Sequence, residues 1–307
     1  MDERILKLLG DSQFERDLYE AAMFNLEDRR NKLRFHNFAF AMRELMGHTL
    51  ARLAPDEDVQ KCIWWKAKSK EVVHQVTRVE RCVYATQGGL SNHYVERRLG
   101  LDFNPEHENL RDAVIRLNEY VHITPEVFQL EDDDIDRLSG ETIEAVAGLM
   151  GCIQECRAAV AERLSDVIIS EAAVNQVVSD SLDAVDELAT HYSLEEVYVD
   201  SHEVSHITCD AVHIKVSGTV GVTLQWGSNS DLRNGDGAEL DQSFDFTCEL
   251  TCETPNPDPE RLEFVENSVM VDTGDWYDQE DEWDYALESD VSADQGPLSA
   301  EDIQSDF

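Results

Sequence analysis

The fold is decided by the segments Glu195-Glu-Val-Tyr-Val-Asp200, Val212-His-Ile-Lys-Val216, Val222-Thr-Leu-Gln-Trp226 and Phe244-Asp-Phe-Thr-Cys-Glu-Leu250. Apolar and polar side chains alternate along these segments, which is typical of strands that bury one face. The loop between the last two segments, residues 227–237, contains Asn-Gly and Asp-Gly pairs. Such pairs supply the positive φ angles of a hairpin turn. The sequence therefore predicts a small, mainly antiparallel β-sheet.

The sequence before this stretch predicts helices. Apolar residues recur at helical spacing through residues 14–53, 105–122 and 143–191. The fold class we expect is α+β: an N-terminal helical bundle followed by long helices packed on a small, mainly antiparallel sheet. The acidic run Glu131-Asp-Asp-Asp134 is interpreted as a break before these long helices.

Composition divides the chain into three parts. We predict a helical domain at 1–130 and an α+β domain at 131–271, with its helices extending to about residue 191. Residues 272–307 contain no Lys or Arg and are rich in Asp, Glu and Ser. Such a segment cannot bury enough apolar surface to fold, so an acidic disordered tail is expected.

Net charge is the most unusual property of the chain. It has 65 acidic and 25 basic residues, a formal net charge of −40. Because phosphate neutralisation drives affinity for nucleic acids, this charge argues against non-specific DNA binding by the chain alone. Two explanations remain open: a surface adapted to high salt, which we favour because only 7 of the basic residues are Lys, or a basic partner protein.

Cysteine usage and the absence of apolar runs indicate the cellular setting. The seven cysteines are odd in number and scattered, which is typical of reduced thiols. No apolar run approaches the ~18 residues that a membrane span needs, and the first residues do not resemble a signal peptide. We expect a cytoplasmic protein without a membrane segment.

One candidate catalytic pair lies in the helical half. Arg116 and His122 are six residues apart near the end of a predicted helix, which is similar to the Arg-x(4–6)-His signature of HEPN ribonucleases. That resemblance implies RNA cleavage without metal, with the imidazole exchanging a proton and the guanidinium stabilising the phosphate. The alternative is an ordinary surface arginine and a packed or capping histidine, because this spacing also recurs by chance.

A second candidate site lies in the predicted sheet. Asp200 followed by His213-Ile-Lys215 has the separation of a restriction-endonuclease-type site, in which two acids hold Mg²⁺ and the lysine orients the attacking water. His213 stands where the second acid is expected, and Glu203 is the candidate to replace it. Asp200 and Glu203 are therefore the predicted metal ligands. The alternative is a strand lysine that faces solvent.

Two further places are candidate nucleic-acid contacts. Lys66, Lys68 and Lys70 form the one locally basic stretch, beside two tryptophans, and basic and aromatic side chains together can clamp nucleic acid. Arg233 lies in the polar loop at 227–237. The alternatives are a solvated turn for the lysines and an Asx-stabilised turn for the loop.

Several segments together resemble the predicted nucleases associated with prokaryotic PIWI-type (pPIWI) defence loci. They are Leu33-Arg-Phe-His-Asn-Phe-Ala-Phe-Ala-Met-Arg-Glu-Leu45, Arg52-Leu-Ala-Pro55, Gln87-Gly-Gly-Leu90, Leu117-Asn-Glu-Tyr-Val-His-Ile123, Asp186-Glu-Leu-Ala-Thr-His191, Leu224-Gln-Trp-Gly-Ser-Asn-Ser-Asp-Leu-Arg-Asn-Gly-Asp-Gly237 and Ser243-Phe-Asp-Phe-Thr-Cys248. The resemblance implies a cytoplasmic antiviral protein with a PIWI-module or helicase partner and a nucleic-acid substrate.

The leading function is therefore a nuclease-type effector or accessory of a PIWI-associated defence system. Two alternatives stay open at this stage: a non-catalytic acidic adaptor that binds a basic partner, and a HEPN-like metal-independent ribonuclease. Catalysis itself, the choice between RNA and DNA, and the oligomeric state are not decided by the residues.

Overall fold

The computed structural model describes residues 1–66, 76–179 and 182–276. Helices precede an antiparallel sheet, so the predicted α+β class is confirmed. The chain forms two compact units. The first contains Met1–Asn175, Ser201–Val216 and Glu249–Val265, and the second contains Gln176–Asp200, Ser217–Cys248 and the residues from Glu266 onward. The predicted boundaries at residues 130 and 271 stay predictions, and most of the predicted tail lies outside the described residues.

The first helices of unit 1 begin and end at the residues that local chemistry favours. Asp2 accepts a hydrogen bond from the backbone N–H of Arg4 at 2.8 Å, which caps the first helix. Gly10 ends that helix with a positive φ of 57°. The four helices are α1 (Glu3–Leu9), α2 (Gln13–Glu27), α3 (Arg34–Leu53) and α4 (Asp56–Lys61).

The middle helices follow the same rules. Thr77 and Glu80 form a reciprocal capping box at the start of the fifth helix, and Gly88 ends it. The segment after Ser91 is a short π-helix. These elements are α5 (Arg78–Gln87), the π-helix (Tyr94–Leu99), α6 (Asn104–Val121) and α7 (Pro125–Phe128).

The longest helix, α8 (Asp132–Leu164), begins earlier than the sequence predicts. The acidic residues Asp132, Asp133 and Asp134 form its first turn, where carboxylates interact favourably with the positive end of the helix dipole. The chain does break just before this helix, at residues 129–131, but the three aspartates belong to the helix and not to the break. Ser165, with a φ of 73°, separates α8 from α9 (Asp166–Ser179).

The core of unit 1 lies among these helices. α2 packs on α3, α3 on α6, and α8 on α1, α5 and α6. The largest side chains that are fully buried there include Tyr19, Phe35, Phe38, Met42 and Leu45. This burial of large apolar side chains gives the helical part a continuous core.

The sheet has the strand order β1-β2-β3-β4, with β5 paired to β3. Along β2, the even-numbered residues from Val212 to Leu224 are buried and the odd-numbered residues are more accessible, so the sheet buries one face, as the alternation predicts. The strands are β1 (His191–Ile207), β2 (Ala211–Trp226), β3 (Ala238–Glu253), β4 (Leu262–Phe264) and β5 (Met270–Asp272). In unit 1, β4 pairs with β3 in antiparallel register, Leu250 opposite Phe264.

Unit 2 contains the other strand segments, β5 and two short helices, α10 (Asp183–Asp186) and α11 (Asn229–Asn234). Here β5 pairs with β3, Phe246 opposite Val271. The loop predicted to be a hairpin turn contains α11, which starts with a Ser228–Asp231 capping box and ends at Gly235. Its Asn-Gly pair thus ends a helix, since a glycine with positive φ serves that position as well.

All seven cysteines are free, and six of them are buried. Burial raises the pKa of the Cys82 and Cys152 thiols to about 12. Among the described helices, none combines the length and the apolar character that a membrane crossing requires.

Candidate functional site

The most unusual group of titratable side chains is a row of three residues on neighbouring strands of unit 1. We call His206, His213 and Glu249 the histidine row. The rings of His206 and His213 stack with centroids 3.9 Å apart and planes 13° from parallel. On the next strand, the Glu249 Oε1 atom lies 2.7 Å from His213 Nδ1.

Strand register explains why these residues meet. The backbone N–H of Thr208 donates to the carbonyl of Ala211 at 2.8 Å, which closes the turn between β1 and β2. Counting back from this pair places His206 directly opposite His213, where cross-strand side chains are in contact. Because β3 lies beside β2, Glu249 continues the row.

The row is accessible to a large ligand. The His206 residue is exposed, and the side chains of His213 and Glu249 are 23% and 37% exposed. The carboxylate holds the His213 ring in one orientation, as carboxylates do for catalytic histidines. The arrangement therefore presents two imidazoles to solvent, with one of them held by an acid.

The charge environment favours a neutral His206. Desolvation of the ring lowers the pKa of His206, His213 and Arg157 lower it further, and Glu249 opposes the shift. Arg157 is on α8, and its own pKa is lowered by burial, with an opposing effect of Glu203. A neutral imidazole can accept a proton near neutral pH, so His206 is suited to act as a base.

The residues of the predicted metal site belong to different units of the chain. Asp200 belongs to unit 2, whereas Glu203 and Lys215 belong to unit 1. The Asp200 Oδ2 atom accepts a hydrogen bond from Thr219 at 3.2 Å. Within residues 1–66, 76–179 and 182–276, no three His, Cys, Asp or Glu side chains form a group that could hold a metal ion. Binding of Mg²⁺ by Asp200 and Glu203 stays a prediction.

The predicted helical pair lies on α6. Arg116 is exposed and forms an ion pair with Glu141 of α8 at 3.3 Å. His122 is the residue that follows the helix, and it is also exposed. Their role in a HEPN-like reaction stays a prediction.

The predicted nucleic-acid contacts are only partly within the described chain. Lys66 is exposed, and Lys68 and Lys70 lie outside the described residues. Arg233 is on α11, where its Nε donates to the carbonyl of Asn229 at 2.9 Å. The binding roles of all four residues stay predictions.

Sequence reasoning missed most of the histidine row. It noted His213 only as a residue in place of an acid, and it did not single out His206, Glu249 or Arg157. A signal was present in the sequence, because His206 and His213 lie on either side of the short polar segment Thr208-Cys-Asp210. Without the register of β1 and β2, however, the facing pair could not be assigned.

The fold and the histidine row together define an α+β protein with a candidate acid–base site on its sheet. Two family models match the chain, at residues 6–146 and at residues 153–277, and each describes a predicted pPIWI-associating nuclease. The chain therefore belongs to the family of predicted pPIWI-associating nucleases. Comparison with curated proteins and with solved structures gives no match.

Proposed function

We propose that the chain is a nuclease-type accessory protein of a prokaryotic PIWI-associated antiviral defence system, and that it cuts RNA at the histidine row. Membership in the family supports the nuclease class. The observation that carries the site is the stacked, accessible pair of His206 and His213, with Glu249 held 2.7 Å from His213.

The proposed reaction needs only these side chains and the ribose. Neutral His206 takes the proton of the ribose 2′-hydroxyl, and the 2′-oxygen forms a bond to phosphorus. The bond from phosphorus to the 5′-oxygen breaks, and protonated His213 gives its proton to that leaving oxygen. The products are a 2′,3′-cyclic phosphate and a 5′-hydroxyl, so atoms and protons balance.

Arg157 has a supporting role in this proposal. Its charge lowers the pKa of His206 and so helps to keep that ring neutral. The acid limb of the rate profile should then lie below the ordinary histidine pKa of about 6.5. In Arg157→Gln the pKa of His206 rises, so the acid limb should move to higher pH.

The partner follows from the family rather than from the site. A PIWI module is the proposed partner, nucleic acid the proposed substrate, and the cytoplasm the proposed location. The acidic surface, with its net charge of −40, repels RNA. Delivery of the RNA by a basic PIWI partner would overcome this repulsion and limit cutting to the assembled complex.

The test is cleavage of end-labelled single-stranded RNA by the full chain, with EDTA and separately with Mg²⁺, with and without a PIWI protein. We expect cutting in EDTA and a loss of at least about 100-fold in His206→Ala and in His213→Ala, the range of general acid–base catalysis. An RNA whose 2′-hydroxyls are all replaced by hydrogen should remain uncut.

His202→Ala is the matched control, because His202 lies on the same strand and contacts Asp166 rather than the row. It should cut at the rate of the unmodified chain. Cutting that is unaffected by the row variants but is lost in His122→Ala would move the site to the helices. Metal-dependent DNA cutting that is lost in Asp200→Ala would move it to the predicted metal site.

The strong negative charge supports a second candidate function, a non-catalytic adaptor. In that case the chain binds a basic partner through its acidic surface and tail. Complex formation that survives every site variant but fails when residues 272–307 are removed, with no cutting of any substrate, would support the adaptor and overturn the nuclease proposal.

A further inference from the structure

A cleft of about 520 Å³ in unit 1 has the composition of an anion site. Its walls come from the π-helix, from the end of α8 and from the segment that follows β3. We call its polar residues Tyr94, Arg98, Arg163 and Asn256 the arginine cleft. Arg98 and Arg163 also line a neighbouring depression of about 310 Å³. The two guanidinium groups are therefore accessible from both hollows.

The two arginines of the cleft have no acidic partner among the described residues. In this strongly acidic chain most arginines form ion pairs, for example Arg4 with Glu144 and Arg52 with Glu15. Neither the Arg98 nor the Arg163 side chain has a hydrogen bond or ion pair within the described part of the chain. The arginines without a carboxylate partner there are Arg16, Arg78, Arg97, Arg98, Arg157, Arg163 and Arg233.

The buried hydroxyl of Tyr94 independently indicates that this cleft binds a ligand. The residue is only 4% exposed, yet it lines the cleft. Its hydroxyl has no hydrogen-bond partner among the described residues. Burial raises the pKa of Tyr94 to about 12, although the charges of Arg163 and Arg98 act against the shift. The hydroxyl stays neutral and keeps an unused donor, which is costly for a buried group without a ligand.

The other polar groups of the cleft leave room for an anion. The Asn256 Oδ1 atom already accepts from Ser91 Oγ at 2.7 Å, so its amide N–H groups are the free ones. Asp258, the acid in the wall, accepts from the backbone N–H of Glu260 at 3.1 Å and is 3.9 Å from Arg261 Nε. The cleft therefore offers two guanidinium groups, a hydroxyl and an amide as donors.

We infer that the arginine cleft binds a phosphate group of an RNA strand. Guanidinium groups donate in the paired geometry that phosphate oxygens accept, and such charge-assisted bonds are stronger than neutral ones. The volume is within the range of clefts that hold a nucleotide. The inference deepens the proposed function, since it names the place where the chain itself would hold the strand that the histidine row cuts.

The test is binding, measured apart from cutting. The full chain with His206→Ala and His213→Ala serves as host, so that RNA stays intact during the measurement. Binding of a fluorescent 12-nucleotide single-stranded RNA is followed by anisotropy at about 0.15 M salt, where repulsion from the acidic surface is screened to a range of about 8 Å while direct phosphate contacts persist. We expect Arg98→Gln and Arg163→Gln each to weaken binding about tenfold, the effect of one charge-assisted contact. Tyr94→Phe should weaken it about fivefold.

Arg78→Gln is the matched control. Arg78 is exposed, lies outside the cleft and also has no ion pair, so the variant has the same net charge as the cleft variants. It should bind like the host. Equal binding by the host and all three cleft variants would overturn the inference, and so would equal weakening by Arg78→Gln. Thermal unfolding checks that each variant is folded.

Competition identifies the source of the phosphate. Unlabelled RNA should displace the labelled strand at far lower concentration than adenosine monophosphate or inorganic phosphate. If adenosine monophosphate displaces the labelled strand at the same concentration as unlabelled RNA, the inference of an RNA strand is overturned and the ligand is a single nucleotide. If the unmodified chain cuts RNA but Arg98→Gln and Arg163→Gln do not weaken RNA binding, this inference alone is rejected. If the two variants weaken binding but the unmodified chain cuts no RNA, only the proposed reaction is rejected.

Discussion

His107 shows how one buried residue links the stability of the fold to pH. It lies on α6, is only 3% exposed, and its Nε2 atom is 3.0 Å from Thr86 Oγ1 of α5. Burial lowers the pKa of His107 from 6.5 to about 4. Between these values the unfolded chain binds a proton that the folded chain does not, so stability falls as pH decreases through this window.

We therefore predict a loss of about 3 kcal/mol from this residue between pH 7 and pH 4, on the basis of 1.36 kcal/mol per pKa unit. His107→Gln keeps a polar group but does not titrate, so it should lose less stability on acidification. Urea unfolding of both proteins at pH 7 and pH 4.5 measures the difference. Equal losses in the two proteins would show that His107 is not the group responsible.

At the residue scale, the sequence could predict which residues have suitable side chains for a site, but not which of them are in contact. His213 drew attention because it stands in a strand where an acid is expected. Its partners His206 and Glu249 are near it only through strand pairing, which depends on register. The unpaired state of Arg98 and Arg163 also depends on where the acidic side chains fold, and this is a tertiary property.

Gly88 and Gly89, which follow α5, pack closely against the turn between β1 and β2. The backbone N–H of Gly89 donates to the carbonyl of Thr208 at 2.8 Å. A Cβ atom on Gly89 would lie 2.1 Å from the Cys209 carbonyl oxygen. No side chain fits there without backbone movement. This contact fixes the turn that places His206 opposite His213.

We predict that Gly89→Ala destabilises the chain by about 3 kcal/mol, the upper range for overpacking in a tight site. Gly47→Ala is the control: Gly47 lies inside α3 and a Cβ atom there has no neighbour within 4 Å. It should stabilise the chain by up to about 1 kcal/mol, because alanine favours helix. Urea unfolding gives both values, and a small effect of Gly89→Ala would mean that the turn moves easily.

At the element scale, periodicity and turn chemistry predicted most helices and strands. The failures have local causes. The acidic run at 132–134 was interpreted as a break, although the same residues favour a helix start. The loop at 227–237 joins the neighbouring strands β2 and β3, as the predicted hairpin requires, but its Asn-Gly pair ends the short helix α11. In both cases the same residues are compatible with two local structures, and contacts elsewhere in the folded chain decide which one forms.

At the scale of the whole molecule, we expect repulsion between acidic residues to limit stability. A net charge of −40 produces repulsion across the surface, and salt shortens the range of that repulsion from about 10 Å at 0.1 M to about 3 Å at 1 M. We predict that the melting temperature rises between 0.1 M and 2 M KCl. NaCl at the same ionic strength should have the same effect. A flat or falling melting temperature would exclude charge repulsion as a limit on stability.

Composition and periodicity predicted the α+β class because both depend on local sequence. The assignment of the strands to two compact units could not be predicted, since each of β1, β2 and β3 contributes to both units. Adaptation to high salt, which the composition favours, stays a prediction that the melting series also tests.

Six of the seven cysteines are buried, so the rate at which each thiol is labelled reports how often its surroundings unfold. A thiol that is enclosed and has a raised pKa reacts with an alkylating reagent only while its surroundings are open. Cys82 and Cys152 lie among the helices, and Cys248 and Cys252 lie on β3. The order in which these thiols acquire the label would show which part of the molecule opens first, without any engineered probe.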